Sequence, residues 1–220
     1  MARHRAFTEA VRETGAQGVV LAHTMDDQAE TVLLGLTRGS GPSGLKGMPS
    51  GDGILHRPFL GLPRATLREA LVDAGMNWWE DPHNADERFT RVRVRHQVLP
   101  VLEREMGPGV VQALARTAEL FRADATALDD DATQWFDSHA TSLDDGSWAL
   151  PVADTERLSA ALQTRVLRML VVRAGGGAPT YAHTAQMRRL LEHWKGQSAI
   201  DVSGASVERR DGQIVARASR

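Results

Sequence analysis

The stretch GVVLAHTMDDQAET, residues 18–31, decides the fold of the first half of the chain. It opens with an apolar run, residues 18–22, that is typical of a short buried strand, and it continues into residues 26–36, which have helical spacing. A strand followed by a helix with an acidic start is the repeating unit of proteins with a parallel sheet. We therefore predict an α/β fold.

The flanking sequence continues this alternation and then changes character. A helix is predicted over residues 3–14, and a second strand and helix over residues 54–60 and 63–74. Residues 90–139 are helical in pattern, apart from a break at Gly107-Pro108-Gly109, and suggest a connecting region.

The last third of the chain predicts a small α+β domain. It contains a strand over residues 148–152, helices over residues 155–173 and 181–194, and alternating strands around an Asp211-Gly212 turn. We expect two domains, residues 1–125 and residues 126–220.

Composition excludes some classes of function. The chain contains no cysteine, which removes disulfides, thiolate metal sites and cysteine-based sulfur transfer and suits a reducing cytoplasm. No apolar run is long enough to cross a membrane. Residues 161–220 carry ten basic and four acidic side chains, so this portion could bind a polyanion such as RNA, although a solvated basic face has the same composition.

Two carboxylates stand at the start of the predicted helix after the first strand. Asp27 and Glu30 are three residues apart, a spacing that places both on one helix face. Such a pair can hold a magnesium ion, bind an ammonium group or shift each other's pKa, or it can simply complement the helix dipole. His23 and Asp26 lie beside the pair at the carboxyl end of the strand, where ligands of open α/β sheets bind.

Two further strings carry residues suited to anions. RGSGPSG, residues 38–44, offers the Arg38 guanidinium and backbone amides, although a tight connection has the same composition. EDPHNADERFTRVRVRH, residues 80–96, contains four arginines that can bind phosphate or carboxylate groups bidentately. Because successive helical residues point in different directions, Arg91, Arg93 and Arg95 are not all expected to serve one ligand.

Together these strings resemble the tRNA(Ile)-lysidine synthetases, members of the PP-loop ATP pyrophosphatase superfamily. The resemblance rests on residues 23–31, residues 38–48, Arg57-Pro58 and residues 80–100, in this order along the chain. It implies a partial parallel-sheet domain of the adenine nucleotide alpha hydrolase-like type in residues 1–125. It also implies a helical connector and a small α+β domain, similar to the family's tRNA-binding C-terminal domain, in residues 126–220.

The family resemblance implies two-step chemistry with ATP and Mg²⁺ as cofactors. ATP adenylates carbon 2 of the wobble cytidine of an isoleucine tRNA through its carbonyl oxygen, and the amine of free lysine then displaces AMP. A homodimer in the cytoplasm, with no membrane partner, is expected. The family pattern implies catalytic roles for Asp27, Glu30, Arg93 and Arg95, Mg²⁺ binding by Asp27 and Glu30, ATP binding by Arg3, His23, Asp26 and Arg38, and substrate binding by Asp81, Asn84 and Arg91.

The sequence departs from the family pattern in two places. Val92 stands where the family usually has Asn, and nothing in residues 1–22 resembles its Ser-Gly-Gly-x-Asp-Ser phosphate loop. We therefore expect the chain alone to be incomplete for catalysis. The alternatives are another PP-loop enzyme that modifies tRNA, a non-catalytic RNA-binding or interaction fragment, and a purely structural fragment. PP-loop enzymes that use active-site cysteines or iron-sulfur clusters are disfavoured by the absence of cysteine.

Overall fold

A computed structural model describes residues 2–39 and 41–219 of the chain. The chain divides into two compact units, Met1–Ala125 and Thr126–Arg220. The fold is a mixed α/β fold in which the first unit holds a small sheet with a parallel pair, and the second holds an antiparallel sheet. The predicted fold class is therefore confirmed.

The first unit surrounds three very short strands with helices. Helix α7 begins in this unit and continues past its end. In chain order the elements are α1 (Ala2–Thr14), β1 (Val19–Val20), α2 (Met25–Thr37), α3 (Gly41–Leu45), β2 (Gly51–Asp52), β3 (Leu55–His56), α4 (Arg64–Asp73), a 3₁₀ turn (Pro82–Ala85), α5 (Thr90–Arg93), a π-helical turn (Val94–Val98), α6 (Leu99–Met106) and α7 (Val110–His139).

The sheet of the first unit is smaller than the sequence predicts. Its order is β1-β3-β2, with β1 and β3 parallel and β2 and β3 antiparallel. Each strand has two residues, whereas the apolar runs predicted strands of five and seven residues. The prediction that the first strand is buried is wrong for Val20, which is 66% exposed, because successive side chains of a strand point to opposite faces and Val19 takes the better covered one.

Helix α2 begins at a capping box. Thr24 is the N-cap, its hydroxyl oxygen accepts a bond from the Asp27 backbone N–H, and the Asp27 carboxylate accepts one from the Thr24 backbone N–H. Farther along, Ala29 packs into an apolar cluster with Val94 and Leu99. The cap and the cluster fix α2 against the segment that contains the arginines.

The second unit has a larger apolar core than the first. A five-stranded antiparallel sheet, in the order β4-β5-β8-β7-β6, packs against α9 and α10 around fully buried residues such as Phe136, Leu170 and Met187. The elements are β4 (Thr141–Ser142), β5 (Trp148–Pro151), α8 (Val152–Thr155), α9 (Ala160–Arg173), α10 (Tyr181–Glu192), β6 (Ile200–Val202), β7 (Ala205–Arg210) and β8 (Gln213–Ala218).

The predicted hairpin at Asp211-Gly212 is confirmed. These two residues join the antiparallel strands β7 and β8, and both have positive φ, 49° for Asp211 and 76° for Gly212. A two-residue turn with positive φ at both positions matches the twist of the flanking strands. The closing sheet therefore takes its register from this dipeptide.

Within the part of the chain that the structure describes, no helix is long and apolar enough to cross a membrane.

Two neighbouring residues of α9 test the core of the second unit. Leu170 is fully buried, whereas Val172 is 51% exposed. We expect Leu170→Ala to lower the free energy of unfolding by about 2–5 kcal/mol, because it leaves a cavity in a packed core. Val172→Ala should change it by no more than about 0.5 kcal/mol. Urea denaturation followed by circular dichroism measures both, and equal losses would contradict this packing.

Candidate functional site

The acidic pair lies at the first turns of α2, as the spacing predicts. The Glu30 side chain is fully buried, and the Asp27 side chain is 14% exposed. A fully buried carboxylate is costly unless it is paired and hydrogen-bonded. The structure therefore has to supply partners for Glu30 from elsewhere in the first unit.

Three arginines supply those partners. Arg91 Nε lies 2.9 Å from Glu30 Oε2, and Arg95 donates from Nε to Oε1 at 2.7 Å and from Nη2 to Oε2 at 3.0 Å. Arg64 Nη2 donates to Glu30 Oε1 at 3.3 Å and to Asp27 Oδ1 at 3.2 Å, and Arg95 Nη2 reaches the same Asp27 oxygen at 3.2 Å. We call Asp27, Glu30, Arg64, Arg91 and Arg95 the carboxylate–arginine cluster.

The acceptor positions of the two carboxylates are fully used. A carboxylate has about four lone-pair positions, two on each oxygen. The Thr24 N–H and hydroxyl both donate to Asp27 Oδ2 at 2.8 Å, while Arg64 and Arg95 fill Oδ1. Each Glu30 oxygen likewise accepts two arginine donors. A cationic ligand at this pair must therefore replace a donor that is already present.

The pKa values of two members of the cluster, Asp27 and Arg95, are shifted. Burial alone would raise the pKa of Asp27, but the hydrogen bonds from Thr24 and the charges of Arg64 and Arg95 outweigh it and hold that pKa below its ordinary value. Burial alone would lower the pKa of Arg95, but its bonds and charge attraction to Glu30 and Asp27 raise it. Asp27 and Arg95 therefore remain charged at neutral pH.

The cluster does not fit a magnesium ion. Mg²⁺ requires free oxygen ligands, and every acceptor position of this pair already receives an N–H or O–H donor. Arg64, Arg91 and Arg95 also balance the charges of Asp27, Glu30 and nearby Asp26, so no net negative charge remains to attract a dication. Among the residues that the structure describes, no group of three or more His, Cys, Asp or Glu side chains could hold a metal ion.

Arg93 points away from the cluster. It donates to the carbonyl oxygens of Glu87 at 2.5 Å and Arg88 at 3.1 Å, and to the Thr90 hydroxyl at 3.0 Å. Arg91 and Arg95 are four residues apart and share one face, whereas Arg93 lies between them on another. A π-helical turn, which often marks a functional site, carries Arg95.

The other predicted residues take separate positions. Asp26 Oδ2 accepts the Arg64 backbone N–H at 2.8 Å, and half-buried His23 precedes the α2 cap. Arg38 is exposed at the end of α2. The side chain of Arg3 lies outside the described residues.

Asp81 is the N-cap of the 3₁₀ turn, and Asn84 lies within that turn. Asp81 Oδ1 bonds the backbone N–H of His83 at 2.9 Å, and the Asn84 carbonyl lies 3.3 Å from Nε2 of His96. Neither side chain has a contact with the carboxylate–arginine cluster among the described hydrogen bonds and ion pairs.

Sequence analysis missed Arg64 and Thr24. Thr24 and Asp27 have the spacing of a capping box, which was visible in the sequence. Arg64 opens α4, and a cation in the first turn of a helix opposes the helix dipole, which is a signal that it serves another purpose. Its distance along the chain from Glu30 hid the contact.

Comparisons with known proteins match both units of the chain. Residues 1–102 match the PP-loop domain family, and residues 150–215 match the TilS substrate binding domain family. The chain is 50% identical over 213 residues to the tRNA(Ile)-lysidine synthase of Leifsonia xyli subsp. xyli, an alignment that covers 97% of this chain and 64% of that protein.

Two further relatives carry the same name. The Thermobifida fusca protein is 46% identical over 220 residues, covering 99% of this chain and 67% of the relative. The Mycobacterium bovis protein is 40% identical over 223 residues, covering 98% of this chain and 68% of the relative. The chain thus spans about 64% of the length of the Leifsonia xyli relative and a similar share of the others.

The low pKa of Asp27 makes stability depend on pH. Its folded-state pKa lies below the unfolded value of about 3.9, so the ionised carboxylate stabilises the folded state above that pH. This contribution is lost as the pH falls through the lower, folded-state pKa. We expect Asp27→Asn to lower the free energy of unfolding by about 1–3 kcal/mol at pH 7.

The difference between wild type and Asp27→Asn should shrink as the pH falls below about 4. Asp52→Asn, at an exposed position of β2, serves as the matched control and should lose little stability at any pH. Urea denaturation at several pH values measures both variants. If the difference in free energy of unfolding between wild type and Asp27→Asn stayed constant down to the lowest pH measured, the charge of Asp27 would not be what stabilises the fold.

Proposed function

The chain belongs to the tRNA(Ile)-lysidine synthase family, and we propose that its carboxylate–arginine cluster binds the lysine substrate of that reaction. The reaction is an ATP-dependent ligation of lysine to carbon 2 of the wobble cytidine of an isoleucine tRNA. The observation that carries the proposal is a buried pair of carboxylates, Asp27 and Glu30. Guanidinium, hydroxyl and backbone N–H donors fill all of their acceptor positions.

Lysine can enter this cluster by exchange. An ammonium group carries one positive charge and three N–H donors, so it can replace one guanidinium without changing the net charge. A magnesium ion would add two charges to a region whose carboxylates are already balanced by guanidiniums. An organic ammonium is therefore favoured over a metal at Asp27 and Glu30.

Arg64 is the donor that exchange would displace. Its contacts with Asp27 and Glu30, at 3.2 and 3.3 Å, are longer than those that Arg91 and Arg95 make with Glu30 through their Nε atoms. Its side chain is 24% exposed, so it can turn towards solvent or towards a phosphate. Arg91 and Arg95 then remain to hold Glu30 in place.

The charges of the cluster act in opposite directions on the lysine proton. The amine must become neutral before it attacks carbon 2, because a protonated amine has no free electron pair. Asp27 and Glu30 favour the bound ammonium form, whereas the Arg91 and Arg95 guanidiniums beside Glu30 oppose it, so the proton leaves more easily than it would from the carboxylates alone. Asp27, with its lowered pKa, orients the amine and is a poor proton acceptor.

The chemical steps balance as follows. The carbonyl oxygen on carbon 2 of the cytidine attacks the α-phosphorus of ATP, and pyrophosphate leaves. The lysine amine then forms the bond to carbon 2, AMP leaves with that oxygen, and the proton of the amine goes to water. The match of residues 1–102 to the PP-loop domain family supports ATP as the nucleotide.

The remaining roles stay predictions. Arg3, His23, Asp26 and Arg38 are proposed for nucleotide binding, Asp81 and Asn84 for substrate binding, and Arg93 for catalysis. Magnesium is proposed only as the counter-ion of the nucleotide phosphates. A homodimer and a cytoplasmic location are further proposals that rest on the family resemblance.

Labelled lysine tests the proposed function directly. We expect ATP-dependent incorporation into a transcript of an isoleucine tRNA whose anticodon begins with cytidine. It should be assayed with the chain alone and with a hybrid in which the chain replaces the 213 matched residues of the Leifsonia xyli relative. Glu30→Gln keeps the volume of the side chain but removes its charge, and should slow incorporation on the order of 100-fold.

Glu69→Gln, at an exposed position of α4, is the matched control and should incorporate lysine at the wild-type rate. Incorporation of lysine by Glu30→Gln at the wild-type rate would mean that the cluster takes no part in the reaction. Absence of incorporation in every form of the chain would count against the proposed function itself.

If lysine displaces Arg64, removal of the Arg64 side chain should strengthen lysine binding instead of weakening it. Arg64→Ala removes the competing guanidinium, so we expect the dissociation constant of free lysine, measured by calorimetry, to fall about tenfold. Arg68→Ala is the control, because Arg68 lies one turn farther along α4 and pairs with Glu80 at the surface. A weaker lysine complex in Arg64→Ala would mean that Arg64 supports the site instead of competing for it.

A further inference from the structure

A small cavity in the second unit lies at the end of α9 and the loop that follows it. Its volume is about 220 Å³, which is below the range of pockets that enclose a whole small ligand, about 300–1,000 Å³. A cavity of this size suits one part of a larger ligand. Its walls combine two cations with an apolar surface and are formed by Arg168, Met169, Val172, Arg173, Ala178 and Pro179.

Arg168 has no charged partner at this cavity. Its side chain is half-buried, yet among the described hydrogen bonds and ion pairs it makes none. Its neighbours on α9 differ, since Arg165 pairs with Asp129 at 2.7 Å and Arg173 lies 3.7 Å from Asp137. A half-buried cation that lacks an internal anion is available for an anion from outside.

Arg173 is held in place at the same cavity. Its guanidinium carbon lies 5.8 Å from the ring centroid of Phe136 and 5.7 Å from that of Trp148. Phe136 is fully buried, so this stacking fixes the guanidinium against a rigid base. A cation fixed in advance loses little conformational entropy when it binds a ligand.

The wall composition indicates the class of ligand. Two guanidiniums bind a phosphate well, and the apolar surface of Met169, Val172 and Pro179 suits the ribose or base beside it. The second unit as a whole carries eleven basic and twelve acidic side chains, so it is the two guanidiniums at the cavity, and not a general positive field, that would attract an anion. A nucleotide places an anionic phosphate directly beside a less polar sugar, and this combination matches the mixed wall. An acidic protein segment does not offer this regular pairing.

We propose that this cavity is a contact site for one nucleotide of the tRNA backbone, with its phosphate on Arg168 and Arg173. The inference rests on the proposed function, because it takes tRNA as the polyanion, and it assigns particular residues of the second unit to that partner. The contact is a positioning one and carries no base specificity, since phosphate contacts fix register without reading sequence.

The test compares Arg168→Ala with Arg189→Ala in binding of the isoleucine tRNA transcript by the whole chain over a series of salt concentrations. Arg189 is exposed on α10, makes no described ion pair and does not line the cavity, so it controls for loss of one positive charge. We expect Arg168→Ala to weaken binding about tenfold, as loss of a charge-assisted bond does.

The salt dependence gives a second readout. Loss of one phosphate contact should make the slope of log affinity against log salt less steep by about one in Arg168→Ala. Arg189→Ala should stay within about twofold of wild type in affinity. Arg168→Lys keeps a charge at the cavity, and it should restore most of the slope but only part of the affinity, because a lysine cannot bind a phosphate bidentately.

Three outcomes overturn the inference. Wild-type affinity of Arg168→Ala for tRNA, or equal losses of affinity in the two alanine variants, would mean that a diffuse electrostatic surface and not the cavity attracts tRNA. Failure of the wild-type chain to bind tRNA would overturn the inference together with the proposed function, whereas the first two outcomes leave that function intact.

Discussion

Burial of the Glu30 carboxylate is the constraint on which the first unit depends. A fully buried charge has to be compensated, and its partners come from positions 34, 61 and 65 residues away along the chain. Pairing therefore brings α2, the start of α4 and the segment of Arg91 and Arg95 to one point. The nearby apolar cluster around Ala29 is small and the strands are short, so the ionic contacts carry much of the geometry that hydrophobic packing carries elsewhere.

The two units solve the problem of stability in different ways. In the second unit, helices and an antiparallel sheet enclose a continuous apolar core, and its buried polar side chains, such as Thr155 and Thr184, are uncharged. In the first unit the buried charges are also the groups that could bind a ligand. A region held by exchangeable ionic contacts can rearrange locally without loss of the whole fold, which is the usual property of binding regions.

Local patterns in the sequence predicted local features well. The spacing of Asp27 and Glu30 placed both on one face of α2, and the Asp211-Gly212 dipeptide identified its hairpin, because both depend on residues close together along the chain. Strand lengths were overestimated, since an apolar run shows what can form a strand and not how many partners the fold provides. The convergence of Arg64 with Glu30 depends on tertiary structure, and no local pattern contains it.

The π-helical turn at Val94–Val98 has a consequence for how this region can change in evolution. A π-helical turn holds one residue more than an α-helical turn, and removing one residue would rotate the residues before it by about 100° relative to those after it. Arg91 and Arg95 could not then meet Glu30 while Leu99 kept its place beside Ala29. Substitutions within the turn alter side chains one at a time, whereas a single deletion would misalign the whole register. Chain length here is thus more strictly constrained than amino-acid identity.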